Sequence, residues 1–269
     1  MTIAHAYASA SALAAYHADP RAGHRYGRDS SPEVVEAERA IEAWHPGYEA
    51  VLFSSGMTAI SAVFDTFGND GISMPAECYR KVVPLAGSRA REDGALIWAE
   101  SPSNPHLRLV DYENLQSSGR KVALDLTFAG LGNFRGDFPD IIVHSLTKYA
   151  CGHNDFMAGV VLARGLSADA IWQRRSMAGG IPDAGTARLL SRSLKTYDLR
   201  MERQVENTLA VLDWLRARVE HVFYPPASEW HYHGGAVVSF RVVGADPVEL
   251  TDRLGDLETI RMAPSFGAV

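Results

Sequence analysis

Short apolar runs recur along the chain at Ala50–Phe53, Gly71–Met74, Ala95–Ala99, Val122–Leu124, Ile141–Val143 and Met157–Leu162, the last interrupted by Gly159. Runs this short, bounded by polar or turn residues and without strict alternation, suit strands buried on both faces of a parallel sheet. Helical stretches fall between them. Pro32 opens one, with Ser31 as its N-cap and Glu33 and Glu36 near its start, where the helix dipole favours acids; His45-Pro46-Gly47 ends it. A second is expected over Thr58–Phe67, a third from Pro75 through Tyr79 and Val83, and a long one from Asp183 to about Val219, striped by Val205, Leu209, Leu212 and Val219. Beyond Pro225-Pro226 the pattern predicts a strand at Ala236–Val243, a helix from Pro247 and a strand at Thr259–Met262. The expected fold is α/β, a mostly parallel sheet flanked by helices, with a reduced C-terminal α/β unit. Residues 1–31 show little period and read as an arm, 32–218 as a large domain, and 219–269 as a small one.

Composition narrows the function. The 269 residues carry a net charge of −6 without basic clusters, which excludes the positive footprint that nucleic-acid binding needs. No apolar run approaches the roughly 20 residues of a membrane span. The start, Met1–Ala15, lacks a basic leader region and does not read as a signal peptide. Two cysteines, Cys78 and Cys151, make no disulfide framework and fit a reducing cytoplasm. His231-Tyr232-His233 has no acid or cysteine nearby to complete a metal site and reads as an exposed loop.

Only four lysines are present, Lys81, Lys121, Lys148 and Lys195. Lys148 follows the apolar run Ile141–Val143, at the C-terminal end of a strand, where open α/β sheets hold their ligands. Partial burial there would depress its pKa, as an imine-forming amine requires; position alone fits a surface lysine better. Asp125 closes the run Val122–Leu124 and is either a turn former or the partner of a protonated ring nitrogen. Ser54-Ser55-Gly56-Met57 joins a strand to a helix, which is common capping and also an anion site, to which Ser145 and Thr147 could add hydroxyls.

These pieces occur in one order together with Tyr26-Gly27-Arg28, Glu100-Ser101-Pro102-Ser103-Asn104-Pro105, Asp125-Leu126-Thr127-Phe128, Ser145-Leu146-Thr147-Lys148, Gly152-His153-Asn154-Asp155 and Leu199-Arg200-Met201-Glu202-Arg203. The combination resembles the Cys/Met-metabolism enzymes dependent on pyridoxal 5′-phosphate (PLP), the cystathionine γ-synthases, cystathionine lyases and methionine γ-lyases, of fold type I. The resemblance implies PLP as cofactor, bound to Lys148 as a Schiff base, with Asp125 on the ring nitrogen. It puts Gly56, Met57, Ser145 and Thr147 at the phosphate, Tyr79 on the ring as a further catalytic residue, and Thr127 beside the ring. Asn104 and Ser265 fall to the substrate. Tyr26 and Arg28 resemble a pair that reaches the phosphate of a neighbouring subunit, which implies a homodimer or tetramer.

The implied reaction is β-elimination from cysteine or an S-substituted cysteine. The alternatives are γ-elimination or γ-replacement, and a non-catalytic PLP-binding scaffold. The chain is shorter than the family's usual members and has no counterpart of the arginine that clamps the substrate carboxylate. That shortening suits a truncated chain, a compact branch, or a domain of a larger assembly, such as the cysteine lyase domains of polyketide synthases.

Overall fold

The computed structural model describes residues 4, 6–18, 23–244 and 246–257. Its centre is a six-stranded sheet of β1 (Glu49–Phe53), β2 (Ile72–Ser73), β3 (Leu96–Glu100), β4 (Lys121–Asp125), β5 (Ile141–Ser145) and β6 (Gly159–Ala163), in the order β1-β6-β5-β4-β3-β2. Strands β2 to β5 pair in parallel, and β6 runs antiparallel to both β5 and β1. Each expected run contributes a strand. The direction of β6 was not legible, because a strand buried on both faces has the same apolar composition whichever way it runs.

Helices cover both faces. On one, Val34 and Ile41 of α2 (Pro32–Glu42) and Leu190 of α7 (Ala184–Leu194) pack against Leu52, Leu124, Ile142 and Leu162. On the other, Val63 and Phe64 of α3 (Gly56–Phe67) and Ile171 of α6 (Leu166–Ala178) pack against Val51, Trp98, Val143 and Val161. Ser31 caps α2 as expected, its side chain accepting from the Val34 N–H. The first 31 residues include a helix, α1 (Ala10–Ala18), which their weak periodicity had concealed. Arg175, almost fully buried, ties this arm to the sheet: its guanidinium donates to Glu38 at 2.6 Å, to the Leu52 carbonyl at 3.0 Å and to the Asp29 carbonyl at 3.1 Å.

Three expectations need correction. No helix runs from Pro75 through Tyr79. Residues 75–81 form a loop, because the Tyr79 N–H goes to the Glu100 carboxyl instead of a helical carbonyl, and α4 (Val82–Ala86) starts only after it. The long helix from Asp183 is two, α7 and α8 (Tyr197–Arg216). Arg200 of α8 turns back to donate to the Ser193 carbonyl and stabilises the break. His231 is buried instead of lying in an exposed loop: its ring sits among Tyr112, Phe134 and Trp230, and its Nε2 meets the Tyr112 hydroxyl at 2.5 Å. Tyr112 belongs to α5 (Tyr112–Ser117), so the stretch after α8 is seated on the main body.

Past that stretch, β7 (His221–Phe223) and β8 (Ser239–Arg241) form a two-stranded antiparallel sheet, followed by α9 (Pro247–Gly255). The strand expected at Thr259–Met262 lies outside the described residues, as does Ser265. Among the described residues no helix is long and apolar enough to cross a membrane.

Candidate active site

The C-terminal ends of β3, β4 and β5 open into a cavity of about 450 Å³, the edge where parallel sheets place ligands. Its lining includes nine of the twelve residues singled out from sequence: Gly56, Met57, Tyr79, Asn104, Asp125, Thr127, Ser145, Thr147 and Lys148. Tyr26 and Arg28 are not in the lining. They lie on the exposed arm, with the Arg28 guanidinium 5.4 Å from the Tyr26 ring centre.

One end of the cavity is shaped to hold an anion. Ser55 caps α3 by accepting from the Thr58 N–H at 3.1 Å, which leaves the first-turn N–H groups of Gly56 and Met57 without helical acceptors. The helix can begin there only because two side chains are missing. A Cβ on Gly56 would fall 2.9 Å from the Ser145 Cβ, and one on Gly159 would fall 2.4 Å from the Ser55 carbonyl oxygen. Ser145 faces this end, whereas the Thr147 hydroxyl is already engaged with Ala158, donating to its carbonyl and accepting from its N–H.

The other end holds a buried acid. Asp125 is the last residue of β4, and its carboxylate accepts from the Thr127 N–H at 2.9 Å and from the Thr127 hydroxyl. That hydroxyl in turn accepts from the Ser145 N–H at 2.8 Å, so its proton is aimed at Asp125. Burial raises the Asp125 pKa, and the Thr127 bonds oppose the rise. Lys148 sits in the turn after β5, half-buried, and desolvation lowers its pKa. Arg200 braces the next residues by donating to the Tyr149 carbonyl at 2.7 Å and the Ala150 carbonyl at 3.2 Å.

A glycine-lined helix start, a half-buried amine and a buried carboxylate in one cavity fit the phosphate, aldehyde and ring nitrogen of PLP. The fit rests on the chemistry of these donors and on the space kept open at Gly56 and Gly159.

Sequence reasoning gave no role to several lining residues. Glu100 stands inside a recognised motif, yet nothing in the motif showed that it would be buried beside Asp125. Arg80 and Lys81 follow Tyr79 at the mouth, and neither their side chains nor that of Asn104 make a hydrogen bond or ion pair among the described residues. Their only sequence signal was proximity to Tyr79.

A sequence model of the Cys/Met metabolism PLP-dependent enzymes matches residues 86–269. Cystathionine gamma-synthase of Escherichia coli K12 is 32% identical over 295 residues, covering 93% of this chain and 75% of that protein. The chloroplastic cystathionine gamma-synthase 1 of Nicotiana tabacum is 30% identical over 308 residues, covering 99% of this chain; the chain spans only 57% of that relative's length. The crystal structure of a cystathionine gamma lyase from Micromonospora echinospora superposes with a TM-score of 0.82 at 26% identity, covering 92% of this chain and 75% of the other.

Proposed function

Because this chain belongs to the Cys/Met metabolism PLP-dependent enzymes, of fold type I, we propose that it makes or breaks a carbon–sulfur bond at the γ-carbon of an amino acid. The observation that carries this is Lys148 and Asp125 lining one cavity with the α3 helix start. The γ position is preferred over β-elimination from cysteine because the similar proteins are named as gamma-synthases and gamma-lyases.

Gly56 and Met57 would receive the phosphate through their N–H groups, with Ser145 adding a hydroxyl. Asp125, held ionised by Thr127, would pair with the protonated ring nitrogen. PLP, when bound, supplies an electron sink for the pair left when the substrate Cα loses its proton. Lys148 is the base for that proton: desolvation raises the share of neutral amine at physiological pH, the form that attacks a carbonyl and accepts a proton. Tyr79 would protonate the departing sulfur, while Asn104, Arg80 and Lys81 would receive the substrate carboxylate, with Ser265 from outside the described residues. Tyr26 and Arg28, absent from the lining of their own cavity, would act in the cavity of a second copy, making at least a homodimer; sedimentation of wild type as a monomer would remove this part of the reading. Both cysteines are free, which supports a reducing cytoplasm as the setting.

The test is product analysis of the PLP-loaded protein. A visible absorbance band lost in Lys148→Ala would tie the cofactor to that amine. Thiol with 2-oxobutanoate from S-substituted homocysteines supports γ chemistry, and thiol with pyruvate from S-substituted cysteines would replace it with β-elimination. A stable band with no turnover of either class, and no thioether formed from an O-activated homoserine and a thiol, would leave a cofactor-binding scaffold.

A further inference from the structure

Glu100 is a buried carboxylic acid in the cavity wall, 6% exposed, and the reaction above gives it no task. It is the last residue of β3 and pairs in register with Asp125, the last residue of the parallel strand β4. Side chains at paired positions of adjacent strands emerge on the same face, so two carboxyl groups share one desolvated end of the cavity. They differ in their hydrogen bonds. Asp125 accepts two from Thr127, whereas Glu100 accepts one, from the Tyr79 N–H to its Oε2 at 2.7 Å. Like charges this close do not both ionise readily, and the carboxyl with fewer donors keeps the proton.

That single bond also has a mechanical role. Tyr79 lies in the loop 75–81, which has no helix or strand to hold it. Its backbone is fixed by Glu100 from below. Glu77, in the same loop, accepts from the Ser103 hydroxyl at 2.9 Å and meets the His106 ring at 2.6 Å, tying the loop to the segment that carries Asn104.

We propose that Glu100 is a positioning residue for both walls of the cofactor cavity: its carboxyl proton leaves the negative charge of the pair on Asp125, and its Oε2 holds the backbone that presents Tyr79. The proposal rests on the PLP reading of the cavity, but concerns residues acting before any substrate arrives. Burial raises the pKa of Glu100, and the charge of Asp125 raises it further. The other ionisable groups around it are Cys78 and Tyr79 of the same loop, Lys148 across the cavity, and Arg80 and Lys81 at its mouth. The Cys78 thiol is pushed up to about 11 by its burial and by Glu100 and Asp125, so it stays neutral and does not compete for the proton.

The first measurement uses cofactor-free protein, so a failed activity assay cannot confuse it. A buried acid with a raised pKa stabilises the fold below its unfolded value, here ordinarily 4.5, and that contribution is lost as pH rises to the raised value. Melting temperature followed from about pH 6.5, above the range in which buried histidines titrate on unfolding, to about pH 9 should therefore decline in wild type, and the decline should be shallower in Glu100→Gln. The second measurement is PLP affinity, by titration of cofactor absorbance. Glu100→Gln keeps an acceptor for the Tyr79 N–H and should bind PLP within about threefold of wild type, whereas Glu100→Ala should bind about tenfold more weakly. An unchanged pH slope in Glu100→Gln overturns the proton role. Equal PLP affinities for Glu100→Gln and Glu100→Ala overturn the positioning of Tyr79. If Glu100→Ala does not fold, Glu100→Asp takes its place, with its shortened reach expected to weaken PLP binding and leave the pH slope in place.

Discussion

Thr127 shows how much of this site one hydroxyl can control. It accepts from the Ser145 N–H at the end of β5 and donates to Asp125 at the end of β4, so a single side chain couples the phosphate end of the cavity to the ring end. Removing it withdraws a donor from a buried carboxylate and leaves the Ser145 N–H without its acceptor. An unmatched buried polar group costs about 1–3 kcal/mol, more when charge is involved. Thr127→Val, of nearly the same shape, should therefore weaken PLP binding about tenfold or more, while Thr127→Ser should stay close to wild type. A titration giving Thr127→Val wild-type affinity would show that Asp125 needs no such support. The same logic explains the limits of sequence reading at this scale. Asp125 and Thr127 were recognisable as a motif, but the direction of the Thr127 proton depends on Ser145, 18 residues away. Glu100 was equally visible in the sequence and had no assigned task, since its burial follows from strand pairing and not from its neighbours in the chain.

At the scale of elements, the phosphate cradle depends on the antiparallel strand that sequence could not orient. Gly159 opens β6, paired with Phe53 of β1 and Ser145 of β5, directly beneath the first residues of α3. An alanine Cβ there would meet the Ser55 carbonyl oxygen at 2.4 Å and the Gly56 Cα at 2.7 Å, both backbone atoms with no rotamer to escape into. Overpacking of this kind typically costs about 1–3 kcal/mol, and here the strain would displace the helix start that meets the phosphate. Gly159→Ala should lose PLP affinity about tenfold and lose much less for pyridoxal, which has no phosphate. Equal losses for the two ligands would mean that the substitution damages the cavity as a whole. The positions of the strands were legible because buried parallel strands are uninterrupted apolar runs. Helix limits were legible where local signals set them, as at Ser31-Pro32. They were not legible where a distant side chain did, as at Arg200 between α7 and α8, or at Glu100 under the loop of Tyr79.

Across the whole molecule, the buried ionisable groups divide into two sets with opposite responses to pH. His45 and His144 lie together inside, their rings 5.2 Å apart, and His231 is buried where the stretch after α8 meets α5. Each keeps a buried ring nitrogen without a partner. Burial lowers the pKa of His45 to about 4 and that of His231 to about 4, with His233 adding to the latter; burial and the neighbouring His45 hold His144 well below 6.5. These groups stay neutral in the fold and become protonated in the unfolded chain, so their contribution is present above pH 6.5 and is lost as pH falls toward 4. A shift of that size corresponds to up to about 3 kcal/mol for one histidine. Glu100 and Asp125, with raised pKa values, act in the other direction and favour the fold on the acid side. The two sets oppose each other where their ranges overlap, between about pH 4.5 and about pH 6.5, and above that the raised acids alone lower the stability of the cofactor-free protein. The histidine limb can be isolated with His45→Leu, which removes one group that must charge on unfolding. Its urea midpoint should fall less than that of wild type between about pH 7 and about pH 4.5. If the two midpoints fall in parallel, the acid limb belongs to the carboxylates that lose their partners, and the buried histidine pair contributes nothing to it.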